Sequence, residues 1–226
     1  MFPISDTNPR LRTPIVNWAL IAACVAVFIH QFQLPPEAGQ AFIYSYGMIP
    51  GTLFGHSVLP PDLYRVPPEI TIVTSMFLHG GILHLGGNML YLWIFGDNVE
   101  DAMGPVKFLL FYLVCGAVAA LTQAFVNPQS DIPMVGASGA ISGVLGAYLF
   151  MYPRAGVQVF VFLGIIIRIF TIPAMIVLTL WFGLQLAAGL MAPPDEPGVA
   201  FWAHIGGFVA GVVLHRFFGS PRSKTA

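Results

Sequence analysis

Charge is what this sequence has least of. Only 8% of its 226 residues are Asp, Glu, Lys or Arg, where a soluble domain carries about 25%. A chain with so few polar groups cannot cover a water-facing surface, which excludes a soluble globular fold and makes lipid the expected solvent. Hydrophobic residues reach 57%, with a mean hydropathy of +0.80. The net charge of −1 lacks the basic excess that a nucleic-acid partner requires. Cysteine is scarce too. Cys24 and Cys115 both sit inside apolar runs and are expected as small buried side chains, not as a disulfide or metal pair. No internal repeat, inverted or parallel, points to a transporter.

What is present is a series of long apolar runs. A helix crossing the hydrocarbon core needs about 20 apolar residues. Six candidates meet or approach that length: 14–32, 76–95, 106–125, 139–152, 172–190 and 201–218. Arg10 and Arg12 precede the first, and no small-residue cleavage site follows it, so it reads as a permanent span and not a secretory signal. The apolar stretch 157–167, followed by Arg168 and Pro173, is expected as a loop packed at the interface. Six spans with a cytosolic N-terminus put Arg10, Arg12, Lys107, Arg154, Arg168, Arg216, Arg222 and Lys224 inside and leave Arg65 alone outside. That is the asymmetry of the positive-inside rule. The expectation is an all-α polytopic membrane protein forming one domain over 1–226, with cytosolic tails at 1–13 and 219–226.

The fourth run is anomalous. From Ser138 to Tyr152 a helix rises about 22 Å, against a core of about 30 Å, so it must begin below the outer surface. The segment before it, 127–137, is polar and broken by Pro128 and Pro133. Irregular backbone at membrane depth is tolerated only beside protein or a water-filled cavity. A wet pocket inside the bilayer follows, with Ser138 where the descending loop becomes the short helix. The first connection, 34–75, is the one long loop. It holds Pro35-Pro36, Pro60-Pro61 and Pro67-Pro68, with Phe42, Tyr44, Tyr46 and Phe54 between them, aromatics that favour a headgroup-level structure.

Polar groups inside spans are functional candidates by default. Gly136-Ala137-Ser138-Gly139 places a hydroxyl at a helix start, where free amides could donate to an oxyanion; it is not the G-x-S-x-G elbow of soluble hydrolases, residue 140 being Ala. Alone, such a string also serves simple helix packing. In Ala203-His204-Ile205-Gly206-Gly207-Phe208-Val209-Ala210-Gly211, an imidazole lies one turn from a G-x-x-x-G face. Gly139, Gly143 and Gly146 give the fourth run a small face of its own. Two such faces let backbones approach closely, which would bring Ser138 and His204 together. His84 and Asn88, at i and i+4 in the second run, share one helix face and could both donate to an oxyanion. His79 and His84, five apart and with no H-E-x-x-H, argue against a metal. No Asp or Glu falls within a predicted span; Asp97 and Glu100 lie near the inner boundary. The unit expected is therefore a dyad, its imidazole oriented by packing and not by a buried anion.

From about Thr74 to Gly211 these residues resemble the rhomboid intramembrane proteases: His79, His84-x-x-x-Asn88, the Gly-Ala-Ser138-Gly turn, and Ala203-His204-x-x-Gly207-x-x-x-Gly211 occur in the family's order. The resemblance implies a six-helix rhomboid-like bundle with a short fourth helix, in a bacterial inner membrane with both termini cytosolic. It implies Ser138 as nucleophile, His204 as general base, and an oxyanion hole from His84, Asn88 and the Ser138 amide. Its implied substrates are single-pass transmembrane proteins in the lipid bilayer, with no metal or other cofactor. His79 and Glu100 match supporting positions. Two departures stand out: Ser142 occupies a position four after the nucleophile where many members carry an aromatic, and Tyr64-Arg65 only partly echoes a first-loop Trp-Arg pair. The stretch 192–200 matches the loop that caps the family's pocket. The alternatives are an inactive relative that binds transmembrane helices for trafficking or quality control without cutting them, and a small channel or transporter. Retention of both Ser138 and His204 argues against the first, absence of intramembrane carboxylates against the second.

Overall fold

The computed structural model describes residues 2–164, 166–192 and 198–219. The chain runs β1 (Phe2–Asp6), α1 (Ile15–Gln33), α2 (Pro36–Tyr46), α3 (Pro50–Leu53), α4 (Pro68–Thr74), a 3-10 turn (Ser75–Phe77), α5 (Ile82–Met103), α6 (Pro105–Val126), α7 (Ser138–Met151), β2 (Gly156–Leu163), β3 (Ile166–Pro173), α8 (Ala174–Met191) and α9 (Phe201–Phe218). Helices α2, α3, α4 and α6 each begin on proline, whose missing N–H is harmless in the first turn and whose ring fixes a helical φ. The long first connection is thus a set of short helices. Gly104, at φ +81°, ends α5 and starts α6; few other residues adopt that conformation.

Among the described residues, α1, α6, α8 and α9 are each long and apolar enough to cross a membrane. The segment 68–77 and α5 qualify only as a pair bent by 81°. At 14 residues, α7 rises only about 21 Å and cannot span unaided. The protein is mostly helical and an integral membrane protein, while the count of six spans is not reached on length and composition alone.

The all-α expectation needs correction. β2 and β3 form an antiparallel hairpin, and β1 pairs antiparallel with β2 to complete a three-stranded sheet in the order β1-β2-β3. Residues 157–163 and 166–167 of the expected interface loop are therefore strand, and residues 2–6 of the expected N-terminal tail are a docked strand. Val157, Val159 and Val161 alternate inward and are buried. Tyr148 of α7 donates a hydrogen bond to the Asp6 carboxylate, tying the sheet to the core. Burial raises the Asp6 carboxyl from an ordinary 3.8 to about 6, overcoming the lowering effect of that hydrogen bond.

The carboxylates after the second run lie on the same helix as that run. Helix α5 continues to Met103, so Asp97, Glu100 and Asp101 belong to it. They clasp the start of α1. Glu100 accepts from the Val16 and Asn17 amides at 3.1 and 2.7 Å, Asp101 from Leu11 N–H at 3.0 Å, and Arg10 pairs with Asp97 at 3.1 Å. A carboxylate at the free amides of a helix start satisfies orphan donors and complements the helix dipole. Farther along, the Asn17 amide donates to Leu92 C=O at 3.1 Å, and Gly96 leaves the room that Asn17 fills.

The core centres on α7, which α5, α6, α8 and α9 surround. Its seam with α9 is built of glycine. A methyl added at Gly207 would run into the Gly139 carbonyl, one at Gly211 into the Gly143 carbonyl, and one at Gly146 into the Phe208 carbonyl. The two backbones touch directly, as small-residue faces permit. Cys24 and Cys115 are both buried and unpaired, Cys115 packing beside Gly143.

Candidate active site

The seam decides where the polar groups meet. Ser138 is the first residue of α7, and its amide, lying in the first turn, has no acceptor within the helix. His204 sits one turn into α9, buried by its neighbours. Because Gly139 and Gly207 touch, the side chains beside them are brought within bonding range: Ser138 Oγ lies 2.7 Å from His204 Nε2. The other ring nitrogen, Nδ1, lies 2.8 Å from Gln185 Oε1 on α8. An imidazole that accepts the serine proton at Nε2 carries its own proton on Nδ1, where the Gln185 oxygen can receive it.

The second pair of predicted residues lines the same pocket. Gly80 N–H donates to His84 Nδ1 at 3.3 Å, which leaves the His84 ring proton on Nε2. Asn88 is buried, and its Nδ2 has no hydrogen-bond partner among the described residues. Both converge on Gly136, two residues before Ser138. A methyl built there would stand 2.8 Å from His84 Nε2 and 3.6 Å from Asn88 Nδ2, and Gly136 has φ +127°. Glycine is required twice over, for its backbone conformation and for the space. Gly136 N–H donates to Ser75 C=O at 2.9 Å, and Met134 pairs with Met48, so the irregular segment before α7 is held by the first connection.

Ser138, His204, His84 and Asn88 all line one pocket of about 1150 Å³. The structure brings all four together. Residues 193–197 of the expected capping loop lie outside the described residues, but its flanks at Ala192 and Gly198 line the same pocket. Among the described residues, no group of three or more His, Cys, Asp or Glu could hold a metal ion. The geometry offers a hydroxyl beside a base, with two side-chain donors in the same pocket and a helix-start amide on the serine itself. These are the parts for nucleophilic attack on a carbonyl and for stabilising the oxyanion it produces.

The sequence reading missed Gln185 and the setting of Trp181. The Trp181 ring stands 6.0 Å from the imidazole at 34°, and Phe201 meets it edge-on at 6.5 Å. An aromatic therefore does flank His204, from α8 and not from four residues after Ser138. Ser142 at that position is buried and donates to Ser138 C=O at 2.6 Å. Gln185 was detectable, because it and Thr179 are the only polar side chains in α8. His79 is buried, its ring 5.2 Å from that of His84, and its backbone exchanges two hydrogen bonds with the Gln31 amide of α1; it backs His84 from behind.

With this geometry in view, comparison with known proteins is decisive about ancestry. The family model for the Rhomboid domain matches residues 66–221. The chain belongs to the rhomboid family. Its relatives include the mitochondrial RHOMBOID-like protein 6 of Arabidopsis thaliana, 32% identical over 84% of this chain and 56% of that protein. Rhomboid protease GluP of Bacillus subtilis is 32% identical over 67% of this chain and 26% of its own length. The mitochondrial Rhomboid protein 1 of Saccharomyces cerevisiae is 35% identical over 43% and 29% respectively. The matches thus span between about a quarter and just over half of these relatives' lengths. The family's members are generally intramembrane serine proteases, although some are inactive.

Proposed function

We propose that this rhomboid-family protein is an intramembrane serine endopeptidase working through a Ser138–His204 dyad. One observation carries the reading: a hydroxyl at the start of a helix too short to span lies 2.7 Å from an imidazole nitrogen, inside a pocket that also holds two unspent donors. Ser138 Oγ attacks the scissile carbonyl carbon while His204 Nε2 takes its proton. The carbonyl oxygen becomes an oxyanion facing His84 Nε2–H, Asn88 Nδ2–H and the Ser138 amide. Collapse of the intermediate breaks the C–N bond, and His204 returns the proton to the leaving amine. Water, deprotonated by His204, then attacks the acyl-enzyme and frees Ser138. Each donor is expected to supply about 2.7–4 kcal/mol of transition-state stabilisation.

The substrates proposed are single-pass transmembrane proteins, cut near the membrane surface after a small residue. In a helix that unwinds there, the pocket rehydrates the freed backbone groups. The pocket wall is shared by α5, through Leu83 and Tyr91, and by α8, through Trp181 and Gln185, which supports substrate access between those helices. A disulfide joining them should lower cleavage of a transmembrane substrate, and unchanged turnover would remove that route. The topology proposed is six spans, with both termini on the cytosolic side of a bacterial inner membrane. The placement of eight of the nine Lys and Arg residues on one side supports it. The hairpin then lies on the cytosolic face. The test is cleavage of a single-span reporter in detergent by wild type, Ser138→Ala and His204→Ala. Wild type is expected to cut and each variant to be inactive; robust cutting by Ser138→Ala would end the proposal.

A further inference from the structure

Helix α8 is apolar from Ala174 to Met191 except at Thr179 and Gln185. An amide in such a helix is costly unless it is hydrogen-bonded, and the acceptor half of this one is committed to a single group. Gln185 Oε1 lies 2.8 Å from Nδ1 of His204, while Nε2 of the same ring lies 2.7 Å from Ser138 Oγ. One turn before Gln185, on the same face of α8, Trp181 sets its ring beside the imidazole.

We infer that Gln185 is the positioning residue for His204, the neutral counterpart of the third member of a serine-protease triad. The inference rests on the dyad reading. A neutral imidazole has one N–H, and the partner at one nitrogen fixes the tautomer seen at the other. With Nδ1–H donating to the Gln185 oxygen, Nε2 presents the lone pair that Ser138 needs. When Nε2 takes the serine proton, both ring nitrogens carry hydrogen, and the amide oxygen stabilises the cation from the Nδ1 side. A carboxylate would do this more strongly, but an anion is expensive at membrane depth. An amide supplies the acceptor without the charge. Orientation of the base thus comes from a directed hydrogen bond on α8 as well as from packing on α9.

The test uses two same-length substitutions with opposite chemistry: Gln185→Met removes the acceptor and Gln185→Glu keeps it. With the single-span reporter, Gln185→Met is expected to lower kcat about 10- to 100-fold, part of the usual range for a general base, with KM and the thermal midpoint unchanged. Gln185→Glu should hold kcat within a few-fold of wild type. The ¹⁵N spectrum of the imidazoles, assigned with His204→Ala, should show His204 protonated on Nδ1 in wild type and a tautomer mixture in Gln185→Met, whether or not Gln185→Glu folds. Wild-type kcat or an unaltered His204 spectrum in Gln185→Met overturns the inference, as does an equal loss in both variants. If wild type cuts, Ser138→Ala does not, and Gln185→Met is undiminished, the positioning role falls and the protease reading stands. A wild type that does not cut removes both.

Discussion

Helices α7 and α8 are both apolar and both contribute to the pocket, yet they are held in opposite ways. Eleven of the fourteen residues of α7 are buried, against three of the eighteen in α8. Helix α7 touches α9 backbone to backbone through Gly139, Gly143, Gly207 and Gly211. Helix α8 leaves Leu180 and Leu184 largely exposed and brings Trp181 and Gln185 to the pocket. The lesson is a division of labour. Close backbone packing fixes the distance between Ser138 and His204, while the more exposed helix supplies groups that orient the ring.

That contrast can be broken most forcefully at the seam. Gly207→Leu should prevent the bundle from forming. Overpacking alone costs about 1–3 kcal/mol, occasionally more, and here the obstacle is a carbonyl of the facing backbone. Gly183→Ala on α8, where an added methyl meets nothing within 4 Å, should leave the thermal midpoint in detergent unchanged or slightly raised. Equal losses in the two variants would erase the distinction.

A smaller effect is expected across the pocket, on α5. Asn88→Ala should reduce kcat about 10²- to 10³-fold, with KM and the thermal midpoint little altered, since its Nδ2 has no hydrogen-bond partner to lose among the described residues. A change confined to KM would make Asn88 a binding group instead.

The smallest effect lies at the sheet. Asp6 has a folded-state value of about 6 against an ordinary 3.8. Below about pH 4 it is protonated whether or not β1 is docked, and its contribution is complete. As pH rises toward 6 the unfolded chain releases the proton first, so the contribution is lost through that window and gone above it. Thermal midpoints in detergent for wild type and Asp6→Asn should coincide near pH 4, and wild type should fall below the variant by pH 7. A constant offset across that range would contradict the assignment.

Much of this architecture was readable because the membrane narrows the options. Small residues at Gly139, Gly143, Gly207 and Gly211 serve little purpose except close approach, so they named the helices that meet. A run too short to span, preceded by Pro128 and Pro133, marked the start of α7. The strands were hidden for a physical reason. In β2, valines point inward at 157, 159 and 161 while Phe160 and Phe162 point outward, so both faces are apolar and the period of two disappears. The β-branched content and Gly164, a left-handed turn residue at φ +63°, were the available signals. Strand β1 pairs with residues about 150 positions away, beyond any local pattern. Gln185 went unweighed because its meaning lies in its distance to His204, 19 positions away, and not in the pattern of α8.

The central claim is that Ser138 is made nucleophilic by His204, and it can be tested on the serine itself. A fluorescent fluorophosphonate, added to the purified protein in detergent, should label wild type at Ser138 and leave Ser138→Ala and His204→Ala unlabelled, with all three proteins sharing one thermal midpoint. Labelling of Ser138 that persists at the wild-type rate in His204→Ala would contradict the account.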